Sequence, residues 1–362
     1  MPQNAVFMQA LDFADAQCRN ILAKYPGYQP MYTVGGKWQK EGELWTHWCE
    51  GFYPGIYWLL HEHTSDAFWL KHAEESSRRL EPRRWDRKVH DLGFLFFSTY
   101  LRWYHLTGDD AHKQILIDAG RTLALRRQIG GYLASFIGPE SLFIDIMMNV
   151  GIILWAARET NDHTLRQIAI EHCRTTQKYL VRTDGGTAHE GIFDVTTGEF
   201  QRQSTHQGFA AESTWTRGLA WAIYGFTAAH RLSGVPEFLA TAQKCAECYL
   251  KRAPAHLAPP WDFDAPAGEG VQYDSSAAAI TASGLFDLAE QVNDAKWKER
   301  YRQAATTMLE TLCSSQFLAS DTPGWEGILK HGVYHIHKKL GVDESVAWGD
   351  HFFVEALVKA LA

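Results

Sequence analysis

Asp145 stands alone among apolar neighbours, after Phe143 and Ile144 and before Ile146, Met147 and Met148. A carboxylate in such a setting loses hydration, which raises its pKa and favours the protonated form. Asp91 follows His90 and precedes another apolar run, Leu92-Gly93-Phe94. Each acid also suits a helix N-cap, a role in which its side chain accepts a backbone N–H. If neighbouring elements bring both to one mouth, their charges couple. One then stays ionised while the other keeps its proton, as general acid–base catalysis near neutral pH requires.

The densest polar stretch is Thr205-His206-Gln207-Gly208, followed by Glu212-Ser213-Thr214-Trp215-Thr216-Arg217-Gly218-Leu219-Ala220-Trp221. Gly208 marks the tight part of a loop. Trp215, Gly218 and Trp221 recur every third residue, roughly on one face of the helix that follows. Arg217 falls near the start of that helix, where the dipole disfavours a cation, so an anionic partner is expected. Glu212 can supply it from within the chain, and a substrate carboxylate can supply it from outside.

Aromatic residues are abundant. Fourteen Trp, fourteen Tyr and seventeen His exceed what a helical core requires. Trp48, His90, His189, His206, Trp215, Trp221 and Tyr334 all lie in segments expected to meet at one mouth. Sugars are held this way, with C–H faces on aromatic rings and hydroxyls on donors and carboxylates. Any single Trp is a natural core residue; the grouping points to a sugar.

These residues need a scaffold, and the chain supplies a repeat. Five times an apolar helical stretch meets a short polar break and restarts: Thr64-Ser65-Asp66, Thr107-Gly108-Asp109, Thr160-Asn161-Asp162, Ser233-Gly234-Val235-Pro236 and Val292-Asn293-Asp294. Each break combines a helix stop with a fresh N-cap, so the unit is a helical hairpin. First helices such as Leu92 to Leu106, Ile146 to Ala157 and Leu219 to Ala229 are apolar on nearly every side. Second helices such as His163 to Val181 and Ala295 to Cys313 are striped. The former are buried and the latter face water. Ser345 to Ala362 has the inner character and Ala5 to Leu22 the outer, so the two ends can pair and close a ring. The pattern predicts an all-α fold: an (α/α)6 toroid of six hairpins spanning residues 1–362 as one catalytic domain, with no sheet of any size.

Other classes are excluded by composition. The start of the chain lacks both a basic region and a long apolar core, and no stretch of about twenty apolar residues exists, so neither a secretory signal nor a membrane span is expected. Six scattered cysteines fit a reducing, cytoplasmic setting. Cys245 and Cys248 form a CxxC inside a helical pattern without a second pair, which does not make a metal site. A net charge of −7 argues against nucleic acid as partner. An anionic small substrate then needs local cations. The Pro/Gly-rich stretch from Ala253 to Gly270, holding Trp261, Phe263 and three acids, reads as an ordered rim loop.

With these segments in view, the chain resembles the unsaturated glucuronyl hydrolases of glycoside hydrolase family 88. The resemblance runs through Trp48 to Trp58, His90-Asp91-Leu92-Gly93-Phe94, Ile144 to Asn149, His206-Gln207-Gly208, Ser213 to Trp221, Trp261-Asp262-Phe263, Asp274-Ser275-Ser276-Ala277 and Trp348-Gly349-Asp350. It implies the same toroid, no metal or other cofactor, and action on small anionic oligosaccharides left by polysaccharide lyases. It further implies that Asp145 is the general acid/base and Asp91 its supporting carboxylate. Trp48, His90, His189, His206, Gln207, Trp215, Arg217 and Trp221 then surround the unsaturated sugar, and Tyr334 meets the leaving sugar. Two departures bear on the second sugar. Phe136-Ile137-Gly138-Pro139 stands where relatives place a Trp before Gly-Pro, leaving Phe136 to stack. His335-Ile336-His337-Lys338-Lys339-Leu340 lacks the serines of a sulfate-binding pattern, leaving Lys338 or Lys339 to meet an anion. The implied chemistry is hydration of a C4=C5 enol ether. The same fold also serves enzymes of unsaturated rhamnogalacturonan fragments and ordinary inverting glycosidases with carboxylates roughly 6.5 to 9.5 Å apart. A non-catalytic sugar-binding scaffold would leave Asp145 without a purpose.

Overall fold

Every polar break in the helical pattern becomes a tight turn between two helices. The computed structural model describes residues 3–42, 44–266 and 271–362. Among them the helices are α1 (Gln3–Lys24), α2 (Phe52–Thr64), α3 (Ala67–Leu80), α4 (Leu92–Phe97), α5 (Tyr100–Thr107), α6 (Asp110–Ala124), α7 (Ile146–Asn149), α8 (Gly151–Thr160), α9 (His163–Tyr179), α10 (Thr216–Ser233), α11 (Pro236–Arg252), α12 (Ser275–Gln291), α13 (Ala295–Leu312) and α14 (Ala347–Leu361). Ser65, Gly108, Asn161 and Gly234 end their helices in the left-handed conformation, with φ of 57°, 67°, 53° and 73°. That conformation releases the chain from the helix and turns it back. Asp66, Asp109, Asp162 and Asp294 then accept a backbone N–H two residues on, starting the next helix. At the fourth break Pro236 takes the first helical position instead.

The expected continuous helix from Leu92 to Leu106 is broken in two. Ser98 and Thr99 turn their hydroxyls onto the carbonyls of Phe94 and Leu95, four residues back, and the backbone departs from helix at Thr99. Competition of this kind bends helices. The Ser98 hydroxyl also reaches Gly51 O at 3.1 Å, tying this rod to the start of α2. With α4/α5 and α7/α8 each counted as one rod, an inner ring runs α2, α4/α5, α7/α8, α10, α12, α14, and each rod has its outer partner. α7 is gripped between neighbours: a β-carbon on Gly93 would come within 2.5 Å of Asn149 Cα, and one on Gly225 within 2.5 Å of Met147 O.

The two ends of the chain close the ring. α14 packs against α12, α2 and α1, with the Tyr53 hydroxyl 2.9 Å from Asp350 Oδ2. The fold is the expected (α/α)6 toroid. Among the described residues strands are short and confined to three antiparallel sheets: β1 (Thr33–Val34) with β2 (Lys37–Trp38); β3 (Ser141–Phe143), β4 (Glu190–Phe193) and β5 (Phe200–Ser204) in that order; and β6 (Gly332–His335) with β7 (Leu340–Glu344). The sequence pattern does not reveal them because each alternates over too few residues. Of the anticipated 253–270 loop, residues 267–270 lie outside the described residues.

At the far end of the inner ring, Glu355 of α14 is a hub. It meets Arg102 of α5 at 3.0 Å, Tyr224 of α10 at 3.0 Å, Ser283 of α12 and Lys359 of its own helix. Burial raises its pKa, but Lys359, Arg102, His351 and Ser283 outweigh burial and hold the carboxyl well below the ordinary 4.5. Removing one member of such a cluster leaves buried charge uncompensated. Glu355→Gln is therefore expected to lower the unfolding free energy at pH 7 by about 3 kcal/mol, read by chemical denaturation. Because the folded-state pKa is depressed, ionised Glu355 stabilises the fold above the unfolded value. Its contribution should fade as pH falls below the ordinary Glu range, shrinking the gap between variant and wild type.

Candidate active site

Residues at the starts of α4, α7 and α10, together with Trp45 and Trp48 ahead of α2 and residues of the β6–β7 hairpin, line a cavity of about 290 Å³. Asp91 precedes α4 and Asp145 precedes α7, yet neither side chain caps its helix. Asp145 has φ −58° and ψ −27°, already helical, whereas the capping aspartates of the outer helices are extended. A side chain on a helical residue does not swing back onto the N–H groups ahead of it. Both carboxylates turn into the cavity instead.

Each acid has a histidine behind it, held by the backbone. His189 Nδ1 accepts the N–H groups of His206 and Gln207, both at 3.0 Å, so its proton must be on Nε2, which lies 3.5 Å from Asp145 Oδ2. His90 Nδ1 accepts Phe136 N–H at 3.1 Å, and its Nε2 lies 3.3 Å from Asp91 Oδ1. Backbone contacts, two on His189 and one on His90, thus choose the tautomer of each ring and aim its remaining proton at a carboxylate. At 3.5 Å the Asp145 contact is at the limit of hydrogen bonding, and Oδ2 has no other protein partner.

This arrangement reverses the expected charge states. Burial pushes Asp145 up, but the proton that His189 directs at it and the guanidinium of Arg217 leave its carboxyl below the ordinary carboxylate range. Burial and the charge of Asp145 push Asp91 well above that range. Of the two acids, Asp145 is therefore the one held toward its anionic form and Asp91 the one held toward its protonated form. Sequence alone shows the apolar neighbours of Asp145 and not the imidazole that folding brings to it. Burial also draws His90 down to about 3, so that ring is neutral.

Arg217 has a partner that the sequence does not suggest. Its guanidinium lies 2.9 Å from Asp274 Oδ2, with side chains only 2% and 0% exposed, and it donates to Val333 O, Tyr334 O and Gln207 Oε1. Glu212 is exposed and is not the partner. Asp274 lies 57 residues away, at the start of α12, where its other oxygen accepts Ser276 N–H. Since Gln207 Oε1 accepts from Arg217, its amide NH2 is left to face the cavity. The 205–213 loop is fixed from below by Asp262, whose Oδ2 accepts Phe209 N–H and the Ser213 hydroxyl.

Eleven of the thirteen residues expected at the site line the cavity: Asp91, Asp145, Trp48, His90, Phe136, His206, Gln207, Arg217, Trp221, Tyr334 and Lys338. Two stand behind the wall. His189 is covered by Phe143, with rings 4.5 Å apart, and Trp215 is sandwiched between His189 at 4.6 Å and Arg217 at 4.4 Å. Trp215 is thus a support for Arg217 rather than a surface for sugar. Gly218 allows this, because a β-carbon there would meet the Trp215 ring at 2.7 Å. Sequence reading missed Trp45, Ile137, Phe143, His335 and Leu340, which complete the wall. Trp45 packs on Phe136 with centroids 4.7 Å apart. Its spacing from Trp48, in Trp-Thr-His-Trp, was the available signal. His335 gave none, and it is buried with both ring nitrogens unpartnered.

Paired buried carboxylates in an aromatic-walled pocket, at the mouth of a helical toroid, define a sugar-cleaving enzyme. The family model described as Glycosyl Hydrolase Family 88 matches residues 17–339, and the chain belongs to that family. It is 33% identical over 325 residues to the unsaturated glucuronyl hydrolase of Bacillus sp. (strain GL1), covering 87% of this chain and 86% of that protein. A crystal structure of an unsaturated glucuronyl hydrolase specific for heparin superposes with a TM-score of 0.90 at 28% identity, over 99% of this chain and 97% of the other. A mutant unsaturated glucuronyl hydrolase from Streptococcus agalactiae, complexed with dGlcA-GalNAc6S, superposes at 0.84 with 27% identity, over 98% and 91%.

The buried pair has a measurable consequence. Arg217→Ala leaves Asp274 charged and without its cation, and should cost about 3 to 5 kcal/mol of stability. Glu212→Ala, removing the partner that sequence suggested, should leave the melting temperature within a degree or two of wild type, since exposed side chains contribute little. Thermal denaturation of both variants by circular dichroism checks the pairing, and the reverse order of effects would overturn it.

Proposed function

We propose that this protein releases a 4,5-unsaturated uronate from the non-reducing end of glycosaminoglycan-type oligosaccharides by hydrating its C4=C5 bond. Family membership and the names of the relatives support the substrate class. The observation that carries the mechanism is Asp145: a carboxylate at a helix start that caps nothing, with a buried oxygen lacking a full hydrogen bond.

The substrate's enol ether is protonated at C4, and the positive charge that develops at C5 is shared by the ring oxygen. Asp145 supplies that proton in this reading. It is anionic in the free protein, and the arriving uronate carboxylate changes this, because a like charge close by raises a carboxyl pKa. The single proton of the pair then moves from Asp91 to Asp145. Asp145, having protonated C4, takes a proton back from the water that adds to C5. The product is a hemiketal at C5. Its C5–O bond to the ring oxygen opens to a ketone, leaving a hemiacetal at C1, which expels the second sugar as its alcohol and becomes an aldehyde. One water is consumed and C1 is never attacked.

The remaining residues hold the sugar. We assign the Gln207 NH2 group and His206 to the polar groups of the uronate, and Arg217 to positioning Gln207, since its own donors are taken by Asp274, Val333 and Tyr334. Trp48 and Tyr334 lie nearly parallel, with centroids 6.1 Å apart, and with Phe136 offer stacking surfaces. Lys338 lines the rim and is assigned to an anionic group of the second sugar. The site draws on residues from Trp45 to Leu340, which supports one catalytic domain. All six cysteines are free, which supports a reducing compartment such as the cytoplasm. Among the described residues no helix is long and apolar enough to cross a membrane.

Asp145→Asn keeps the shape and removes the proton carrier, so turnover should fall by two orders of magnitude or more, about the size of a general-acid contribution. Retention of a tenth of wild-type activity would reject the assignment. Gln207→Ala should raise KM by roughly two- to tenfold, the worth of one hydrogen bond. In heavy water, proton NMR at early times should show deuterium on one face of C4 of the product. A saturated glucuronide, lacking the enol ether, should be inert. Turnover of that glucuronide, or C4 free of deuterium, returns the protein to the inverting-glycosidase reading.

A further inference from the structure

Trp45 borders two cavities. On one side lies the pocket of about 290 Å³ with Asp91 and Asp145; on the other lies an open groove of about 780 Å³. The same two segments separate them. Trp48, His90 and Asp91 face the pocket, while His47, Glu50, Asp86 and Lys88 face the groove. Trp45 and Phe136 form the side of the pocket nearest the groove, so a sugar chain that leaves on that side passes them.

The groove has the chemistry to receive it. Trp85 lines it and is 56% exposed, an unusual situation for the largest apolar side chain. An exposed indole face is a stacking surface for a pyranose. Three cations, Arg79, Arg83 and Lys88, line the groove against two carboxylates, Glu50 and Asp86. Arg83 is taken up by Glu50, at 3.0 Å on both oxygens, and by Asp86. Arg79 and Lys88 form no ion pair among the described residues, so the groove keeps two unneutralised cations beside an exposed Trp, in a chain of net charge −7.

A second exit leads behind Phe136 into a depression of about 250 Å³ lined by Arg87 and Arg126. It is less suited. Arg126 spends its guanidinium on the carbonyls of Ala134, Ser135 and Arg87, and the depression holds no aromatic ring besides Phe136.

We propose that the groove bounded by Trp45, Arg79, Trp85 and Lys88 is a distal subsite for anionic sugars beyond the cleaved bond, so that the protein favours unsaturated tetrasaccharides over disaccharides. The proposal rests on the activity argued above. Trp85 supplies the stacking face, and Arg79 and Lys88 meet the sulfate or carboxylate of the third or fourth sugar.

The test compares an unsaturated disaccharide with the unsaturated tetrasaccharide of the same polymer, in wild type and in Trp85→Ala. The quantity read is the ratio of tetrasaccharide to disaccharide kcat/KM. In Trp85→Ala this ratio should fall roughly three- to tenfold, the range of one aromatic stacking contact. In the Arg79→Ala, Lys88→Ala double variant, the tetrasaccharide KM should lose the part of its salt dependence that the disaccharide KM does not share, because the groove cations are its source. A ratio unchanged by Trp85→Ala overturns the subsite, as does an equal loss for both substrates, which would mean that the ring acts through the pocket. A ratio that falls in Arg87→Ala while Trp85→Ala is silent overturns it in favour of the depression behind Phe136. Failure of wild type on both substrates overturns the activity itself, and the subsite with it.

Discussion

The site depends on one ion pair. Arg217 and Asp274 are almost fully buried and join the starts of α10 and α12, strand β6 through Val333 and Tyr334, and the 205–213 loop through Gln207. Burying two charges costs several kcal/mol per ion, and the cost is offset only when all remaining lone pairs and protons find partners. Here they do. Asp274 accepts from Arg217 and from the N–H and hydroxyl of Ser276, and Arg217 donates to three further oxygens. The arrangement ties the start of α10 to that of α12 and holds Gln207 and the Tyr334 carbonyl against the same guanidinium.

A second constraint separates acids that build the fold from acids left for chemistry. Asp66, Asp109, Asp162 and Asp294 begin outer helices and are spent on backbone N–H groups. Asp91 and Asp145 begin inner helices with their carboxylates unspent. The difference lies in two backbone angles, and it leaves an identical residue at an equivalent place facing the cavity with its carboxylate uncommitted to the helix. The histidines complete the distinction. Backbone amides hold His90 and His189 by their Nδ1 atoms, so neither ring can turn away from its acid. Such fixed dipoles need no reorganisation when charge moves during reaction.

The overall charge of the chain and the charge of its substrate have the same sign, and the structure reconciles them locally. Acids are paired or capping in most of the molecule, while Lys338 lies at the pocket rim and Arg79 and Lys88 in the adjoining groove. Aromatic rings line the path between them, supplying contact that does not depend on charge. Cations at the pocket rim and in the adjoining groove give an anionic sugar local attraction that salt screens.

Much of the fold was legible in the sequence. The five breaks, the apolar inner helices, the striped outer ones and the matching of the two chain ends follow from residue type and period, because helix stops, caps and amphipathicity act over a few neighbouring residues. The mouth was legible too, since eleven expected residues share one cavity. What tertiary structure alone decided was every property that depends on residues far apart in the chain. Asp274 displaced Glu212 as the partner of Arg217, Trp215 moved from the sugar's side of the wall to its back, and Trp45 joined Phe136 at the rim. The charge of Asp145 changed for the same reason. Its neighbours in sequence are apolar and raise its pKa, but His189, 44 residues on, lies 3.5 Å from it in space and lowers it. Electrostatic energy falls with distance through space and takes no account of separation along the chain, so the sequence determined which acid was exceptional and the fold determined which of the two holds the proton.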